Sequence, residues 1–364
     1  MLAARAHAEA HGARMPVLAP EAGTLLGHRP PVRVAELHGA GFRVIPWTVN
    51  DARKMRALMA LRVDGIISDR PDILQRILKA EAAANSSEAD YFVAFDVTGH
   101  RGARGLRPEN TLPAFEAGLN HLVTSLETDI GITADRAALI WHDQFLDPLS
   151  CRRADGARYT LRNRVYIRDI SLSEAQGSFI CDKLHRVRFP RQTNDLALSP
   201  VAVAFAAHER LISPYVPTHV EQLFRFADFY AGYYLTGPGS SHPQAAARAA
   251  NAQNVCFSIE TKILPLPNDP LGTSAANLPL PVRGDPTTNH TVGPQIFVTE
   301  ICEAIQRNRL EDRTRVMSFD FRILQLVEEQ FPKVRTCYLV ESVESLSATL
   351  PLVTRLEGAQ GHGD

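Results

Sequence analysis

Short apolar runs alternate along this chain with segments that have the periodicity of amphipathic helices. Residues 44–49 and 65–68 have the pattern of buried strands, and residues 51–61 between them have that of a helix. Helices are also predicted over residues 72–84 and 220–234. Strands that alternate with helices in this way are typical of βα units wound around a parallel sheet.

The strand count predicts a closed barrel of eight parallel strands. The eight predicted strands lie at Val17, Val44, Gly65, Val93, Leu126, Ile259, Met317 and Leu339. A ninth short strand is predicted at residues 138–141, because only 12 residues separate Asp129 from His142. A helical crossover does not fit there, since parallel neighbours need a dozen or more connecting residues. We therefore expect an antiparallel excursion that returns His142 to the side of Asp129.

Composition and charge exclude several classes of function. The chain has 364 residues, of which 45% are hydrophobic, so it can bury a full core. Its formal net charge of −1 provides no overall field for nucleic acid or an anionic membrane, so neither is expected as a partner. No apolar run approaches the ~20 residues that span a bilayer. The alanine-rich start, residues 1–11, predicts an amphipathic helix instead of a signal peptide, and a cytoplasmic location is therefore expected.

The five cysteines are scattered and form no C-x-x-C pair. We interpret them as small buried apolar residues, because neither a disulfide framework nor a zinc site is indicated by their spacing.

Carboxylates on two predicted strands indicate a cation site. Glu127 and Asp129 alternate with Thr128, so both carboxylates project from one side of a strand. Two such carboxylates repel each other unless a cation or a proton lies between them. Glu260, on a later strand, can supply a third oxygen. An all-oxygen ligand set suits Mg²⁺ or Ca²⁺.

Basic residues near these carboxylates complete the parts that phosphodiester chemistry needs. Lys262 lies two residues beyond Glu260 and projects from the same face, and Arg101 offers a guanidinium fork for the same anion. His100 and His142 follow strands and can act as acid and base near neutral pH. Cleavage of a phosphodiester requires a cation, a base for the nucleophile and an acid for the leaving alkoxide.

Each of these residues also has a purely structural interpretation. A single histidine at a strand end is more often structural, and a Glu-x-Asp pair on a strand is usually a solvated face. The combination favours an active site, because the residues fall at the C-terminal ends of separate strands, where β/α barrels place their catalytic groups.

Several motifs together resemble the glycerophosphodiester phosphodiesterase family. They are Gly99-His100-Arg101-Gly102, Arg107-Pro108-Glu109-Asn110-Thr111, Leu126-Glu127-Thr128-Asp129, Trp141-His142-Asp143, Ile259-Glu260-Thr261-Lys262 and Met317-Ser318-Phe319-Asp320. The resemblance implies an irregular TIM (β/α)8 barrel of the phospholipase C-like phosphodiesterase type. It also implies hydrolysis of glycerophosphodiesters to glycerol 3-phosphate and an alcohol with a divalent cation, Ca²⁺ or Mg²⁺.

The resemblance assigns roles to individual residues. It implies His100 and His142 as acid and base, and Glu127, Asp129 and Glu260 as metal ligands. It implies Arg101, Lys262 and Trp47 as substrate-binding residues, although Trp47 could equally be a core aromatic. It further suggests that a glycerol hydroxyl of the substrate attacks phosphorus first, to give a cyclic phosphate that water then opens. Relatives of this family can be periplasmic or secreted, which leaves the cytoplasmic location open.

The order of the motifs departs from that of the family. The family's closing segment, Trp-Thr-Val-Asn and then Val-Asp-Gly-Ile-Ile-Ser-Asp-Arg-Pro, stands first here, at residues 46–71. We expect one circularly permuted barrel over residues 1–364. Its predicted parts are a C-terminal-like part (1–80), a linker (81–90), an N-terminal-like part (91–342) with an insertion over about 145–254, and a closing helix with a flexible tail (343–364).

Other accounts remain open at this point. Fragments of two tandem barrels would produce the same motif order. A related barrel phospholipase that acts on intact lipid, or a barrel that only binds its ligand, would carry the same residues. A small-molecule glycerophosphodiester is the expected partner.

Overall fold

The computed structural model describes residues 2–27, 30, 32–263 and 290–341. The strands are β1 Val17–Pro20, β2 Arg43–Val44, β3 Gly65–Ser68, β4 Asp96–Gly99, β5 Ser125–Ile132, β6 Ala138–Ile140, β7 Arg152–Arg153, β8 Phe179–Ile180, β9 Cys256–Thr261, β10 Thr314–Ser318 and β11 Arg335–Val340. The helices are α1 Leu2–Ala10, α2 Val34–Gly39, α3 Ala52–Ala60, α4 Pro71–Ala84, α5 Ala89–Ala94, α6 Leu112–Asn120, α7 Leu172–Ser178, α8 Pro200–His208, α9 Val220–Leu235, α10 Ala245–Asn254, α11 Pro294–Arg307 and α12 Phe321–Gln330.

Eight parallel strands form the barrel, in the order β2-β1-β11-β10-β9-β5-β4-β3. Backbone hydrogen bonds close the ring between its first and last members, from Asp64 N to Val44 O (2.8 Å) and from Ile67 N to Pro46 O (3.0 Å). The first and last described strands are neighbours, with Val17 of β1 opposite Cys337 of β11. The predicted α/β barrel is therefore confirmed, and both parts of the chain build one ring. The permutation relative to the family stays a prediction.

The local sequence explains the helices that link these strands. In α3, the Asp51 side chain accepts hydrogen bonds from Arg53 N and Lys54 N, both at 2.9 Å, as an N-cap does. Met55 and Leu58, one turn apart, are fully buried against the barrel. The helices predicted over residues 72–84 and 220–234 are present as α4 and α9.

The predicted antiparallel excursion is also confirmed. β6 pairs antiparallel with β5, with Ile130 opposite Ile140, and does not belong to the ring of parallel strands. Trp141 N donates a hydrogen bond to Asp129 O at 3.0 Å. The chain therefore delivers His142 to the end of β5 that carries Asp129.

The strand predicted near Val93 is wrong in its position. Residues 89–94 form helix α5, and the strand begins only at Asp96. Val93 is 84% exposed, whereas Phe92 and Phe95 are buried. A helical turn places the two aromatic rings in the core and Val93 outside, so burial of the rings outweighs the β propensity of the run. The predicted linker, residues 81–90, includes the end of α4 and the start of α5.

A buried ion pair fills the barrel end that lies away from the strand C-termini. Arg315 Nη1 is 2.7 Å from Asp96 Oδ2, and its Nε donates to Ser258 Oγ. All three residues lie near the N-terminal starts of their strands. The other end of the barrel, at the C-terminal ends of the strands, is called the mouth below. Active sites of β/α barrels lie at that end.

The segment between β6 and α9 contains a disulfide, which contradicts the interpretation of all five cysteines as reduced. Cys151 and Cys181 are bonded, 30 residues apart in sequence. The antiparallel pairing of β7 with β8 brings them opposite each other, because Arg152 pairs with Ile180. Spacing along the chain carries no sign of that pairing. Cys302 and Cys337 are free and buried, as predicted, whereas Cys256 is free and only partly buried.

Two predicted features lie outside the described residues. They are the closing helix and the flexible tail, predicted together over residues 343–364. Among the described helices, none is at once long enough and apolar enough to cross a bilayer.

Candidate active site

The C-terminal ends of three adjacent strands carry most of the predicted site residues. β4 ends at Gly99 and leads directly into His100 and Arg101. β5 carries Glu127 and Asp129, and β9 carries Glu260. β5 and β9 pair in parallel with Asp129 opposite Glu260. The register of β5 and β9 therefore brings Glu260 next to Asp129, although the two residues are far apart in sequence.

Three buried carboxylates form a compact cluster at this mouth. One oxygen from each of Glu127, Asp129 and Glu260 lies within 4.8 Å of the others. Their residues are 1%, 0% and 7% exposed, respectively. Asn110, in the loop before α6, holds one of them by donating from Nδ2 to Asp129 Oδ2 at 2.8 Å. Arg101 N holds another by donating to Glu127 Oε2 at 2.7 Å.

The three buried carboxylates would be stabilised by an additional positive charge among them. Burial, together with the charges of Asp129 and Glu260, raises the pKa of Glu127 well above its ordinary value. Burial also opposes ionisation of Asp129, but Arg101, His142 and Lys262 outweigh it and lower the pKa of that carboxyl. Within the described part of the chain, Glu127 Oε1 and Asp129 Oδ1 are buried and accept no hydrogen bond. Buried oxygens without donors are costly, and a hard divalent cation satisfies them, so this donor set fits Mg²⁺ or Ca²⁺.

Two cationic side chains border the carboxylates. Arg101 Nε is 3.1 Å from Asp129 Oδ2, and its Nη1 donates to Glu109 Oε1 at 2.8 Å. Lys262 Nζ lies 2.5 Å from Glu260 Oε1 and 3.5 Å from Asp129 Oδ1. Both cations therefore lie beside the cluster, where a bound phosphate would meet them.

A tight backbone turn directs Arg101 into the site. Arg101 has φ +50° and Gly102 has φ +82°. A Cβ atom on Gly102 would lie 2.6 Å from the backbone carbon of Ala114. Only glycine permits this close approach of the loop to α6.

His100 is held by a buried carboxylate on the neighbouring strand end. Its Nδ1 is 2.6 Å from Asp69 Oδ1, immediately after β3, which leaves Nε2 directed toward Glu127, 3.9 Å from Oε2. Asp69 also accepts from Arg104 and, at 2.7 Å, from Asn50 Nδ2. Burial and the charge of Arg104 lower the pKa of His100 to about 4, although Asp69 opposes the shift. His100 is therefore a neutral imidazole at neutral pH, able to accept a proton.

His142 and Trp47 occupy the rim of the mouth. His142 Nδ1 is 2.9 Å from Asp143 Oδ1, and its side chain is 31% exposed. The ring of Trp47 packs edge-on against Phe319 at 5.5 Å, and its Nε1–H donates to Ala19 O. Trp47 shares no hydrogen bond with the carboxylates among the described residues, so it is not part of the polar cluster.

Three residues of the site were not predicted from the sequence as functional. Asp69 supports His100, Arg104 binds Asp69, and Glu109 bridges Arg101 and Arg104. Burial raises the pKa of Glu109, but Arg101, Arg104 and His142 outweigh it and bring that pKa to about 2. Asp69 precedes Arg-Pro at the start of α4, a position at which an aspartate commonly has only a local structural role. Asp69 directly follows the C-terminal end of β3, and site residues of β/α barrels lie at such strand ends. That position could have identified Asp69 from the sequence.

Comparison with known proteins agrees with the motifs. Residues 2–73 and 100–213 match the model of the Glycerophosphoryl diester phosphodiesterase family. A probable glycerophosphodiester phosphodiesterase of Mycobacterium tuberculosis is 46% identical over 50 residues, which are 14% of this chain and 19% of that protein. A putative glycerophosphodiester phosphodiesterase of Bacillus subtilis is 31% identical over 80 residues, 22% of this chain and 28% of that protein. The matched part thus spans less than a third of the length of these curated relatives.

Two solved structures are also similar. The first is a putative glycerophosphoryl diester phosphodiesterase from Silicibacter pomeroyi, with TM-score 0.46 and 24% identity, covering 69% of this chain and 66% of that one. The second is an Oleispira antarctica phosphodiesterase in complex with the product sn-glycerol-3-phosphate, with TM-score 0.40 and 13% identity, covering 71% and 72%. The family model covers just over half of the present chain, and the chain therefore belongs to the glycerophosphoryl diester phosphodiesterase family.

Proposed function

We propose that this protein hydrolyses glycerophosphodiesters to glycerol 3-phosphate and an alcohol. The observation that carries the proposal is the cluster of Glu127, Asp129 and Glu260, two of which have buried oxygens without donors, beside a neutral imidazole. Membership of the family supports the substrate class.

The three carboxylates are the proposed ligands of one divalent cation, Mg²⁺ or Ca²⁺. When bound, such an ion supplies positive charge that polarises the phosphoryl oxygens. Arg101 and Lys262 are assigned to the remaining phosphate oxygens, because both cations already lie against the cluster. Trp47 and Phe319 form an apolar contact at the rim, which suits the carbon chain of a glycerol group.

The two histidines are assigned different roles because their surroundings differ. His100, with Nδ1 bound to Asp69, has Nε2 available to take the proton of the attacking glycerol hydroxyl of the substrate, and water then opens the resulting cyclic phosphate to give glycerol 3-phosphate. His142, which follows β6 and lies near Asp129, is assigned to protonate the departing alkoxide as the phosphorus–oxygen bond breaks. Asp143 accepts from His142 and orients its ring. The pKa of Asp143 is lowered by this hydrogen bond, against the effect of burial, so that Asp143 stays a carboxylate beside the ring.

An assay with glycerophosphocholine tests the activity. We expect release of glycerol 3-phosphate in the presence of Mg²⁺ or Ca²⁺, abolished by a chelator. His142→Ala should reduce kcat roughly 100-fold or more, the range expected for loss of a general acid. Glu127→Gln should also reduce turnover, because it removes one proposed ligand of the cation. Glu303→Gln is the matched control, because Glu303 lies on the outer surface of α11 and its side chain is 52% exposed. Turnover by both site variants at the wild-type rate would refute the assignment.

Calorimetry tests the cation site independently of turnover. Burial and the charges of Asp129 and Glu260 raise the pKa of Glu127, so a cation that binds there should compete with a proton for this carboxyl. The binding enthalpy of Mg²⁺ should therefore depend on the ionisation enthalpy of the buffer in the wild-type protein. Glu127→Gln should weaken uptake and remove that dependence. Uptake of equal affinity in both proteins would show that Glu127 is not a ligand.

A further inference from the structure

A second cluster of metal-binding side chains lies on the outer surface of the barrel, where α1 packs against α12. His7 of α1, His11 one turn later and Glu329 of α12 place donor atoms within 4.8 Å of one another. The two imidazole rings are 4.4 Å apart, because residues four positions apart share one face of a helix. The cluster has no residue in common with the mouth of the barrel.

Hydrogen bonds at the far side of each ring determine which nitrogen is available. His7 Nδ1 is 2.8 Å from Oε2 of Glu328, whose side chain is fully buried. His11 Nδ1 is 2.9 Å from the carbonyl oxygen of His7, which can only accept. The Nδ1 atom of each ring therefore faces an acceptor, and Nε2 is the nitrogen on the side away from it. Metal-binding histidines are oriented in the same way, by a carboxylate or a carbonyl behind the ring.

The carboxylate behind His7 is itself fixed. Glu328 Oε1 accepts hydrogen bonds from Thr336 Oγ1 at 2.7 Å and from the Tyr338 hydroxyl at 3.1 Å. Both donors belong to β11, so the orientation of His7 is anchored in the barrel wall. A histidine that contacts only solvent needs no such buried partner.

The separation between the donor atoms of His7 and Glu329 is close to that in a tetrahedral site, and the donor atom of His11 lies within 4.8 Å of both. His7 Nε2 is 3.2 Å from Glu329 Oε1. Zinc bonds of about 2.0–2.1 Å to nitrogen and oxygen imply ligand separations of roughly 3.3–3.4 Å at tetrahedral angles. Glu329 and His11 are solvent-exposed, so water can take the fourth position.

We propose that His7, His11 and Glu329 bind Zn²⁺, or another divalent transition ion that prefers imidazole, and thereby fasten the N-terminal helix to the barrel. Two imidazoles and one carboxylate favour such ions, whereas the all-oxygen cluster at the mouth favours Mg²⁺ or Ca²⁺. The rival account is that His7 is an imidazolium that bonds both Glu328 and Glu329 and binds no metal.

Metal titration of the full-length protein, without a histidine tag, tests the site. The protein is freed of metal with a chelator, saturated with Mg²⁺ to fill the oxygen cluster, and titrated with Zn²⁺ by calorimetry and with Co²⁺ by visible absorption. We expect one equivalent of Zn²⁺ and the intense absorption of tetrahedral Co²⁺. Zn²⁺ should also raise the Tm, since it binds only the folded arrangement.

Three variants decide between the two accounts. His11→Ala and Glu329→Gln change exposed side chains, so both should fold, and each should weaken Zn²⁺ binding at least ten-fold and abolish the Tm shift. Glu9→Gln, on the same helix but paired with Arg5, is the control and should bind as the wild type does. Absence of Zn²⁺ uptake by the wild type, or uptake that survives either site substitution, would overturn the proposal.

Discussion

Replacing Asp69 by asparagine tests whether the carboxylate behind His100 is needed for catalysis. Asp69 is 1% exposed and accepts hydrogen bonds from His100, Arg104 and Asn50. Asparagine has nearly the same shape but no charge, and its amide group can present a donor to Nδ1. The ring of His100 then loses the partner that keeps Nε2 free to accept a proton.

The size of the effect follows from the bond that is lost. A hydrogen bond to a charged group contributes about 1.5–3 kcal/mol. If this bond serves only to orient His100, its loss lowers kcat/KM roughly 10- to 150-fold. The substitution also leaves buried Arg104 with Glu109 as its remaining ion-pair partner, so we expect a stability loss of about 1–3 kcal/mol.

The pH profile provides a second signature that a purely structural defect would not produce. Asp69 raises the pKa of His100 against burial and the charge of Arg104, which bring it to about 4. Activity that depends on neutral His100 is lost as the pH falls through that pKa. Without the carboxylate the pKa falls further, so the acidic limb of kcat/KM should move to lower pH.

Steady-state kinetics from pH 3.5 to 8, with urea unfolding of the same samples, measure both effects. Asp72→Asn is the matched control, because Asp72 forms an ion pair with Arg70 outside the site. We expect its kcat/KM to equal that of the wild type. Retention of more than half of the activity by Asp69→Asn, or an acidic limb that moves to higher pH, would refute the reasoning.

Three further predictions concern other parts of the molecule. Burial raises the pKa of Glu116 from 4.5 to about 7. The contribution of Glu116 to the free energy of unfolding should therefore be fully present below pH 4.5 and decline by roughly 1.4 kcal/mol per pH unit up to pH 7. Denaturant unfolding of Glu116→Gln should show a flatter dependence on pH over this range, and an unchanged slope would contradict this. The guanidinium groups of Arg188 and Arg104 both lie over the ring of Phe189, at 5.2 and 5.3 Å, which places Arg188 near the mouth. Because it is exposed, Arg188→Ala should raise KM only about 1.5- to 5-fold with kcat unchanged, whereas Arg186→Ala should change neither; a large fall in kcat would contradict a rim position. A rearranged chain that begins at residue 86 and joins residue 364 to residue 1 through a flexible linker should fold and turn over substrate like the original, and an insoluble product would argue against the permutation.

Local patterns in the chain were sufficient to predict much of the architecture. Strand runs at Val17, Gly65 and Leu126, with helices between them, follow from burial on both faces of parallel strands. The return of His142 beside Asp129 followed from the number of intervening residues alone. These inferences succeeded because each depends on periodicity or chain length, which neighbouring residues determine.

Contacts between distant segments were not accessible in the same way. Asp69 supports His100 across 31 positions, and Cys151 meets Cys181 across 30, through pairings that no spacing rule specifies. The helix at residues 89–94 was missed because its aromatic run has strand propensity, and only packing of Phe92 and Phe95 in the core selects the helix.

Residue types and their order along the chain thus indicated the barrel, the acidic cluster and the family. The tertiary structure determined what those residues can do. It buries three carboxylates together, and burial with nearby charges lowers the pKa of His100. It also packs α1 against α12. The physical reason is that ionisation and ligand geometry depend on which groups meet in space and how little water reaches them, and neither quantity is encoded by any one segment.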